Sequence, residues 1–211
     1  MKKIKLTYSL IGVLFISLAV TFFRLADLGT DPYTTFNLGV SDFLNMAFGV
    51  FIMVSSLLML VFIYFMDRSL VGIGTLFNIF IVGNLSDVLV ALYTQAFGVP
   101  ENLVVRVIFS ILGIVCLAMG AALYIEAEEG IAPYDALPII LAERVPRLSF
   151  RVSRVILDTL FSVIGFLFGA TIGVNTLVTA FLLGPFIQFF RDIFKKDIEA
   201  RRVKHLRKNK F

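Results

Sequence analysis

The chain has 211 residues, of which 59% are hydrophobic, with a mean hydropathy of +0.94 and a formal net charge of +4. An ordinary soluble domain is only ~45–50% apolar, so this composition excludes a water-soluble enzyme. Six membrane spans of ~20 residues each would use most of the length. We therefore expect a single membrane domain over residues 1–211, without a second folded domain. The one cysteine, Cys116, excludes an internal disulfide.

Apolar runs long enough to cross a bilayer occur six times along the chain. They cover residues 6–26, 46–66, 70–92, 102–125, 148–170 and 172–190. The first run is longer than the core of a signal peptide, and no small-x-small cleavage site follows it, so we expect a retained membrane anchor. The sequence predicts an all-α, polytopic membrane protein with six transmembrane helices.

Basic residues are distributed unevenly between the segments that join these runs. If the N-terminus is cytoplasmic, 17 of the 19 Lys and Arg residues lie in cytoplasmic segments, and only Arg24 and Arg106 lie near the outer face. The positive-inside rule then predicts that both termini lie in the cytoplasm. We expect the basic tail, residues 191–211, to contact anionic lipids of the bilayer rather than nucleic acid.

An internal repeat appears when the chain is compared with itself at a shift of 101 residues. Gly29-x-x-Pro32-Tyr33 matches Gly130-x-x-Pro133-Tyr134, and 14 of the 89 pairs from residue 5 to 93 are identical. Each repeat, about 5–95 and about 102–196, contains three spans, so the second must enter the membrane from the opposite side. Solute sites of secondary transporters lie near the midplane between such inverted repeats. A duplication retained only for stability is the alternative.

Each Gly-x-x-Pro-Tyr turn precedes a short run, residues 33–45 or 134–145, that cannot cross the bilayer. Glycine ends one helix, proline favours the first turn of the next, and Asp31 is a suitable N-cap. A re-entrant helix would present its N-terminal N–H groups to a small polar or anionic solute. An amphipathic interfacial helix that only connects two spans is the alternative. Asp135 is either a site carboxylate or a partner of the helix dipole.

These two turns, particularly Gly130 to Leu137, and the hydropathy of residues 5–195 resemble the bacterial YczE/YyaS/YitT-type membrane proteins. The longer YitT-type members carry an additional soluble C-terminal domain, whereas about 20 basic residues follow the last span here. The resemblance implies a bacterial plasma-membrane protein of poorly defined function, and it supplies no catalytic residues.

Ionisable and polar side chains inside the spans are costly and are therefore candidates for function. Asp158 is expected near the bilayer midplane, with Arg154 four residues earlier on the same helix face; an intrahelical pair that only fixes packing is the alternative. The third and sixth spans contain Gly83-Asn84 and Gly184-Pro185 at equivalent positions. We expect either a helix kink beside a central cavity or close helix packing there.

The sequence favours transport over catalysis. It has no catalytic triad, metal-spaced cluster or phosphate-binding loop in a suitable context, so we expect no enzyme activity, no metal and no cofactor. The leading hypothesis is a small-solute transporter. A non-transporting membrane subunit that binds a ligand or partner protein, a scaffold and a homo-oligomer all remain open. The expected site residues are Asp31, Tyr33, Asn78, Asn84, Asp87, Tyr134, Asp135, Arg154, Asp158, Asn175, Thr176 and Gln188.

Overall fold

The computed structural model describes the backbone of residues 2–208 and the side chains of residues 3–195. Within this range the secondary structure is helical, which confirms the all-α prediction. A short 3₁₀ helix, Arg68–Leu70, follows the third of eight α-helices. The α-helices are α1 (Lys2–Ala26), α2 (Pro32–Phe43), α3 (Phe48–Met66), α4 (Ile73–Phe97), α5 (Leu103–Ala127), α6 (Pro133–Arg144), α7 (Phe150–Leu167) and α8 (Val174–Lys208).

Five of these helices are long and apolar enough to cross a membrane: α1, α3, α4, α5 and the part of α8 up to Lys195. The protein is therefore a membrane protein. The fifth expected span, residues 148–170, corresponds to α7, which is outside that set. It has 18 residues and carries Arg151, Arg154 and Asp158.

The antiparallel helices α1 and α5 form the centre of the bundle. Gly12 of α1 and Gly120 of α5 meet there so closely that a Cβ atom on either residue would lie 2.8 Å from the carbonyl oxygen of the other. Lys5 pairs with Glu128 at one end of the two helices, and Arg106 pairs with Asp27 at the other. We call these the N-terminal end and the opposite end of the bundle.

The two halves of the chain have corresponding helix boundaries. Helices α5 and α6 begin and end 101 residues after α1 and α2, and α8 begins 101 residues after α4. Gly29 and Gly130 both have positive φ angles, of 85° and 106°. Each lies against the segment before a helix of the other half: a Cβ on Gly29 would be 2.5 Å from Gly173 N, and one on Gly130 would be 2.5 Å from Gly72 N.

The short helices α2 and α6 meet with their N-termini facing each other. Along α3, Phe51 contacts Phe36 of α2, Ser55 and Ser56 contact Tyr33 at the start of α2, and Ile63 packs with Ile140 of α6. The rings of Tyr33 and Tyr134 stack with centroids 4.8 Å apart. Since Ser55 and Ser56 lie in the middle of α3, the two N-termini meet at mid-length of a membrane span.

The local signals for α2 and α6 were sufficient to predict both helices, which begin one residue before the predicted runs, at the prolines. At the predicted kink positions α4 and α8 continue without a break through Gly83 and Pro185. Gly83 allows close packing, because a Cβ there would lie 2.1 Å from Ile52 Cγ2 of α3. At the equivalent Gly184 no such neighbour lies within 4 Å.

Candidate functional site

A cavity of about 1200 Å³ runs from the N-terminal end of the bundle to its middle. Its wall includes Glu128 after α5 and Arg151 in the first turn of α7 at the N-terminal end. It reaches Ile52 of α3 and Gly83 of α4 at mid-length. Most of the wall is apolar, and the polar part is concentrated where α2 and α6 meet.

An ion network links α6 to α7 in the cavity wall. The Arg154 guanidinium contacts Asp135 Oδ1 at 2.5 Å and Asp158 Oδ1 at 3.1 Å. The hydroxyl of Tyr134 donates a hydrogen bond to the same Asp158 oxygen at 2.5 Å. Arg154 also lies over the Tyr134 ring, 5.0 Å from its centroid. Asp158 is only 3% exposed, so its carboxylate depends on these partners for stabilisation.

The equivalent tyrosine of the first half, Tyr33, lies in a neutral network. Its hydroxyl bonds to Ser56 at 2.7 Å and to Ser55 at 3.0 Å, and Ser55 donates to Asn37 Oδ1 at 2.6 Å. The two stacked rings thus join an uncharged cluster on α2 and α3 to a charged cluster on α6 and α7. Repeat-related positions in the two halves therefore differ in chemistry.

Carboxylates occupy the N-terminal turns of both short helices. Asp31 is the N-cap of α2 and accepts a hydrogen bond from Thr34 N at 3.1 Å. The N-cap of α6, Ala132, has no side-chain hydrogen bond, but Asp135 lies in its first turn. These negative charges compensate the positive ends of the two helix dipoles.

The predicted site residues divide into two groups. Eight of them line the cavity and four do not. The eight are Asp31, Tyr33, Asn78, Tyr134, Asp135, Arg154, Asp158 and Gln188. The four outside the wall are Asn84, Asp87, Asn175 and Thr176.

Three of the four residues outside the wall form hydrogen bonds with backbone groups. The partners of Asn84 and Thr176 lie in the same half of the chain, and that of Asn175 lies in the other half. Asn84 is exposed and donates to Phe80 O of its own helix. Asn175 donates to Gly29 O at 3.1 Å and to Ser110 Oγ at 3.0 Å, while Thr176 accepts from Gly173 N. The contacts of Asn175 and Thr176 anchor the turn between α1 and α2 to the start of α8.

Asp87 belongs to a separate cluster at the opposite end of the bundle. Its carboxylate pairs with Arg24 at 2.7 Å and accepts from Gly49 N at 2.6 Å, so it also caps α3. Arg24 contacts Ser86 Oγ and lies over the ring of Phe48. This cluster ties together α1, α3 and α4, and it borders a smaller cavity of about 450 Å³.

Sequence reasoning missed Ser55, Ser56 and Phe161. Phe161 of α7 packs edge-on against both stacked tyrosines, with centroid distances of 6.1 Å and 5.1 Å. The adjacent serines in the apolar run of α3 were a readable signal. The sequence has no signal that distinguishes Phe161 from the other phenylalanines, of which the chain has 23 in total. In the described range no group of three or more His, Cys, Asp or Glu residues is arranged to hold a metal ion.

Comparison with known proteins finds relatives that cover most of the chain. It is 29% identical over 195 residues to an uncharacterised protein of Haemophilus influenzae, covering 90% of this chain and 86% of the relative. It is 26% identical over 197 residues to the uncharacterised protein YyaS of Bacillus subtilis, covering 93% and 97% of the two chains.

The uncharacterised membrane protein YczE of Bacillus subtilis is 26% identical over 167 residues, covering 77% of this chain and 73% of the relative. The predicted resemblance to YyaS and YczE is confirmed. No solved structure matches the chain at a significant level. The family model described as "Family of unknown function (DUF6198)" matches residues 3–192, and the chain therefore belongs to this family.

Proposed function

We propose that this protein is a plasma-membrane transporter for a small polar solute, with its binding site where the N-termini of α2 and α6 meet. The observation that carries this proposal is the Asp135–Arg154–Asp158 network, with Asp158 buried, in the wall of a cavity that reaches mid-length of the bundle. Ionised groups at the centre of a bilayer cost roughly 2.5–3.5 kcal/mol each on insertion scales. A well-packed apolar cluster would stabilise the fold as well or better, so a binding role explains the network.

The site is best explained by two inverted repeats of three spans each. The corresponding helix boundaries, the crossed contacts of Gly29 and Gly130, and the stacking of Tyr33 on Tyr134 support this arrangement. In it, α7 is the fifth of the six spans. Its Arg154 and Asp158 are paired within the protein rather than facing lipid, so they are compatible with a span. The short helices are then re-entrant, because their N-termini lie at mid-length of α3.

The cavity opens towards the cytoplasm in the proposed orientation. The N-terminal end of the bundle contains Lys5, Arg68 and Arg151, as the positive-inside rule requires of a cytoplasmic face. Most of the basic tail, which we expect to contact anionic lipids, lies outside the residues whose side chains are described.

Flux measurements on purified protein in liposomes test this function. Asp158→Asn is expected to reduce solute uptake while the protein retains its helix content and its elution volume in size exclusion. Glu101→Gln removes one negative charge from an exposed loop position and should transport like the wild type. Absence of uptake for cationic, neutral and anionic solutes alike would overturn the transport proposal. Unfolding of Asp158→Asn would instead assign Asp158 to structure.

A membrane subunit that works with a partner chain is the second candidate. The observation in its favour is α8, of which only 6% of the most apolar window is buried, against 44% for α1. The exposed apolar surface of α8 can be covered by a partner chain or by lipid. Co-purification of a stoichiometric partner, together with absence of flux from the isolated chain, would favour this candidate.

A further inference from the structure

We infer that the solute is a small organic cation, and this inference rests on the proposed function of the cavity. The site has an excess of negative charge. Three carboxylates, those of Asp31, Asp135 and Asp158, lie in the wall near the meeting point of α2 and α6. Arg154 is the basic side chain that contacts them, and it already bridges two of the three.

The third carboxylate, Asp31, is close enough to Arg154 and Asp158 to interact electrostatically with both. Its hydrogen bond is to a backbone N–H and not to a basic side chain. Each helix N-terminus contributes about half a positive charge. When both N-termini and Arg154 are counted, about one negative charge remains unbalanced. A bound cation would neutralise it.

The helix N-termini do not offer a free anion site. Asp31 caps α2 directly, and Asp135 occupies the first turn of α6. An anion would have to approach these carboxylates and displace their contacts. From the helix N-termini alone we expected a polar or anionic solute. The carboxylates of Asp31 and Asp135 at these N-termini favour a cation instead. Two further basic residues of the wall lie away from the meeting point. Arg151 is exposed at the N-terminal end, where salt screens its charge, and Arg191 pairs with Glu126 at 2.8 Å.

The remaining wall suits an organic rather than a fully hydrated ion. Tyr33 and Tyr134 line the wall at the meeting point, with Phe161 packed edge-on against both, and aromatic rings attract alkylammonium groups. The buried hydroxyl of Tyr124, in the same wall, makes no hydrogen bond of good geometry among the described residues, with Thr75 as its polar neighbour. It could bond to a polar group of the solute. A volume of about 1200 Å³ is more than a small organic molecule fills.

Three probes of the same shape and different charge test this inference. Choline is a cation, 3,3-dimethylbutan-1-ol is its neutral carbon isostere, and 3,3-dimethylbutanoate is an anion of similar size. Binding of each to the purified full chain in detergent at pH 8 is measured by calorimetry. We expect choline to bind at least about tenfold more tightly than the neutral probe, and the anion to bind most weakly.

Asp31→Asn is the decisive variant, because asparagine caps a helix about as well as aspartate. The cap of α2 should therefore persist while one negative charge is lost. We expect choline affinity to fall at least about fivefold, with no change in affinity for the neutral probe. Glu101→Gln, which removes an exposed charge, should bind all three probes like the wild type.

Binding and flux separate the two proposals. Equal affinity for choline and its neutral isostere, or tighter binding of the anion, would overturn the cation inference even if flux occurs. An unchanged choline affinity in Asp31→Asn would overturn it as well. Choline preference in the binding assay without flux of any probe would overturn transport and leave the cation inference standing.

Discussion

At the scale of single residues, Tyr33 and Tyr134 form a matched pair. Their rings stack on each other, but Tyr134 donates to the Asp158 carboxylate whereas Tyr33 bonds to two serine hydroxyls. A hydrogen bond to a charged group contributes ~1.5–3 kcal/mol and each neutral one ~0.5–1.5 kcal/mol, and loss of a partner costs more for the buried Asp158 carboxylate than for serine hydroxyls, of which Ser55 also bonds to Asn37. Tyr134→Phe should therefore lower the thermal unfolding temperature in detergent more than Tyr33→Phe does.

Each substitution is the experimental control for the other, because both keep the stacked rings and remove one hydroxyl group. After Tyr33→Phe, Ser55 retains its bond to Asn37. After Tyr134→Phe, Asp158 retains Arg154 alone. A Tyr33→Phe protein that is the less stable of the two would contradict the assignment of the charged network to the second half.

Residue-level features could be predicted from sequence where the contact is local. The Arg154–Asp158 pair follows from a spacing of four on a helix, and Asp31 was recognisable as an N-cap before Pro32. The outward orientation of Asn84 could not be predicted, because the polar residues of α4, among them Asn78, Asn84 and Asp87, are spread around the helix and no polar stripe marks its inner face. The hydrogen bonds of Asn175 could not be predicted either, since its partners lie 65 and 146 residues away in the sequence.

At the scale of elements, Arg24 and Asp87 hold three helices together at the opposite end of the bundle. Both side chains are partly buried, with exposed fractions of 17% and 28%. Replacing one partner alone leaves the other charge without its counter-ion, which is worse than replacing both. We expect Asp87→Leu to be less stable than the double variant Arg24→Leu/Asp87→Leu.

A double-mutant cycle on unfolding temperature and free energy measures this coupling. For residues in direct contact we expect a coupling of about 0.5–3 kcal/mol. Some loss will remain in the double variant, because Gly49 N also loses its acceptor. Additive effects of the two substitutions would show that the pair does not stabilise the joint between α1, α3 and α4.

Packing between neighbouring helices differs in the two halves at equivalent glycines. A Cβ on Gly83 would collide with Ile52 of α3, whereas one on Gly184 would meet no neighbour. Gly83→Ala should cost about 1–3 kcal/mol through overpacking. Gly184→Ala should be neutral or stabilise by up to about 1 kcal/mol, because alanine favours a helix over glycine. Unfolding temperatures of the two variants check this, and equal destabilisation would be the contrary result.

Helices were more predictable than their mutual packing. The apolar runs and the Gly-x-x-Pro-Tyr turns are local signals, so seven of the eight helices begin within three residues of the predicted runs, and α1 begins four residues early. The tight α3–α4 contact at Gly83 and the open space at Gly184 depend on tertiary packing. The repeat makes these positions look the same in sequence.

At the scale of the whole molecule, this asymmetry agrees with the position of the main cavity, whose wall runs from the N-terminal end of the bundle to its middle. Helices α3 and α4 are in close contact at Gly83, and the Arg24–Asp87 cluster joins them at the opposite end. Gly184 of α8 lies in the cavity wall instead. In the transport mechanism that we propose, one repeat closes against the other around the site. By the repeat symmetry, the state closed at the N-terminal end would have α8 packed on α7 at Gly184, with Phe150 and Ser153 at the positions that correspond to Gly49 and Ile52.

Side-chain size at Gly184 should therefore control transport without controlling stability. In the series Gly184→Ala, Gly184→Val and Gly184→Leu, we expect uptake into liposomes to fall stepwise, because a larger side chain opposes closure of α8 on α7. The unfolding temperature should stay near that of the wild type, since the present conformation leaves room at this position. Leu182→Phe adds bulk at an exposed α8 position outside the cavity wall and should leave uptake unchanged. Uptake that is independent of size at Gly184 would mean that α7 and α8 do not close during transport.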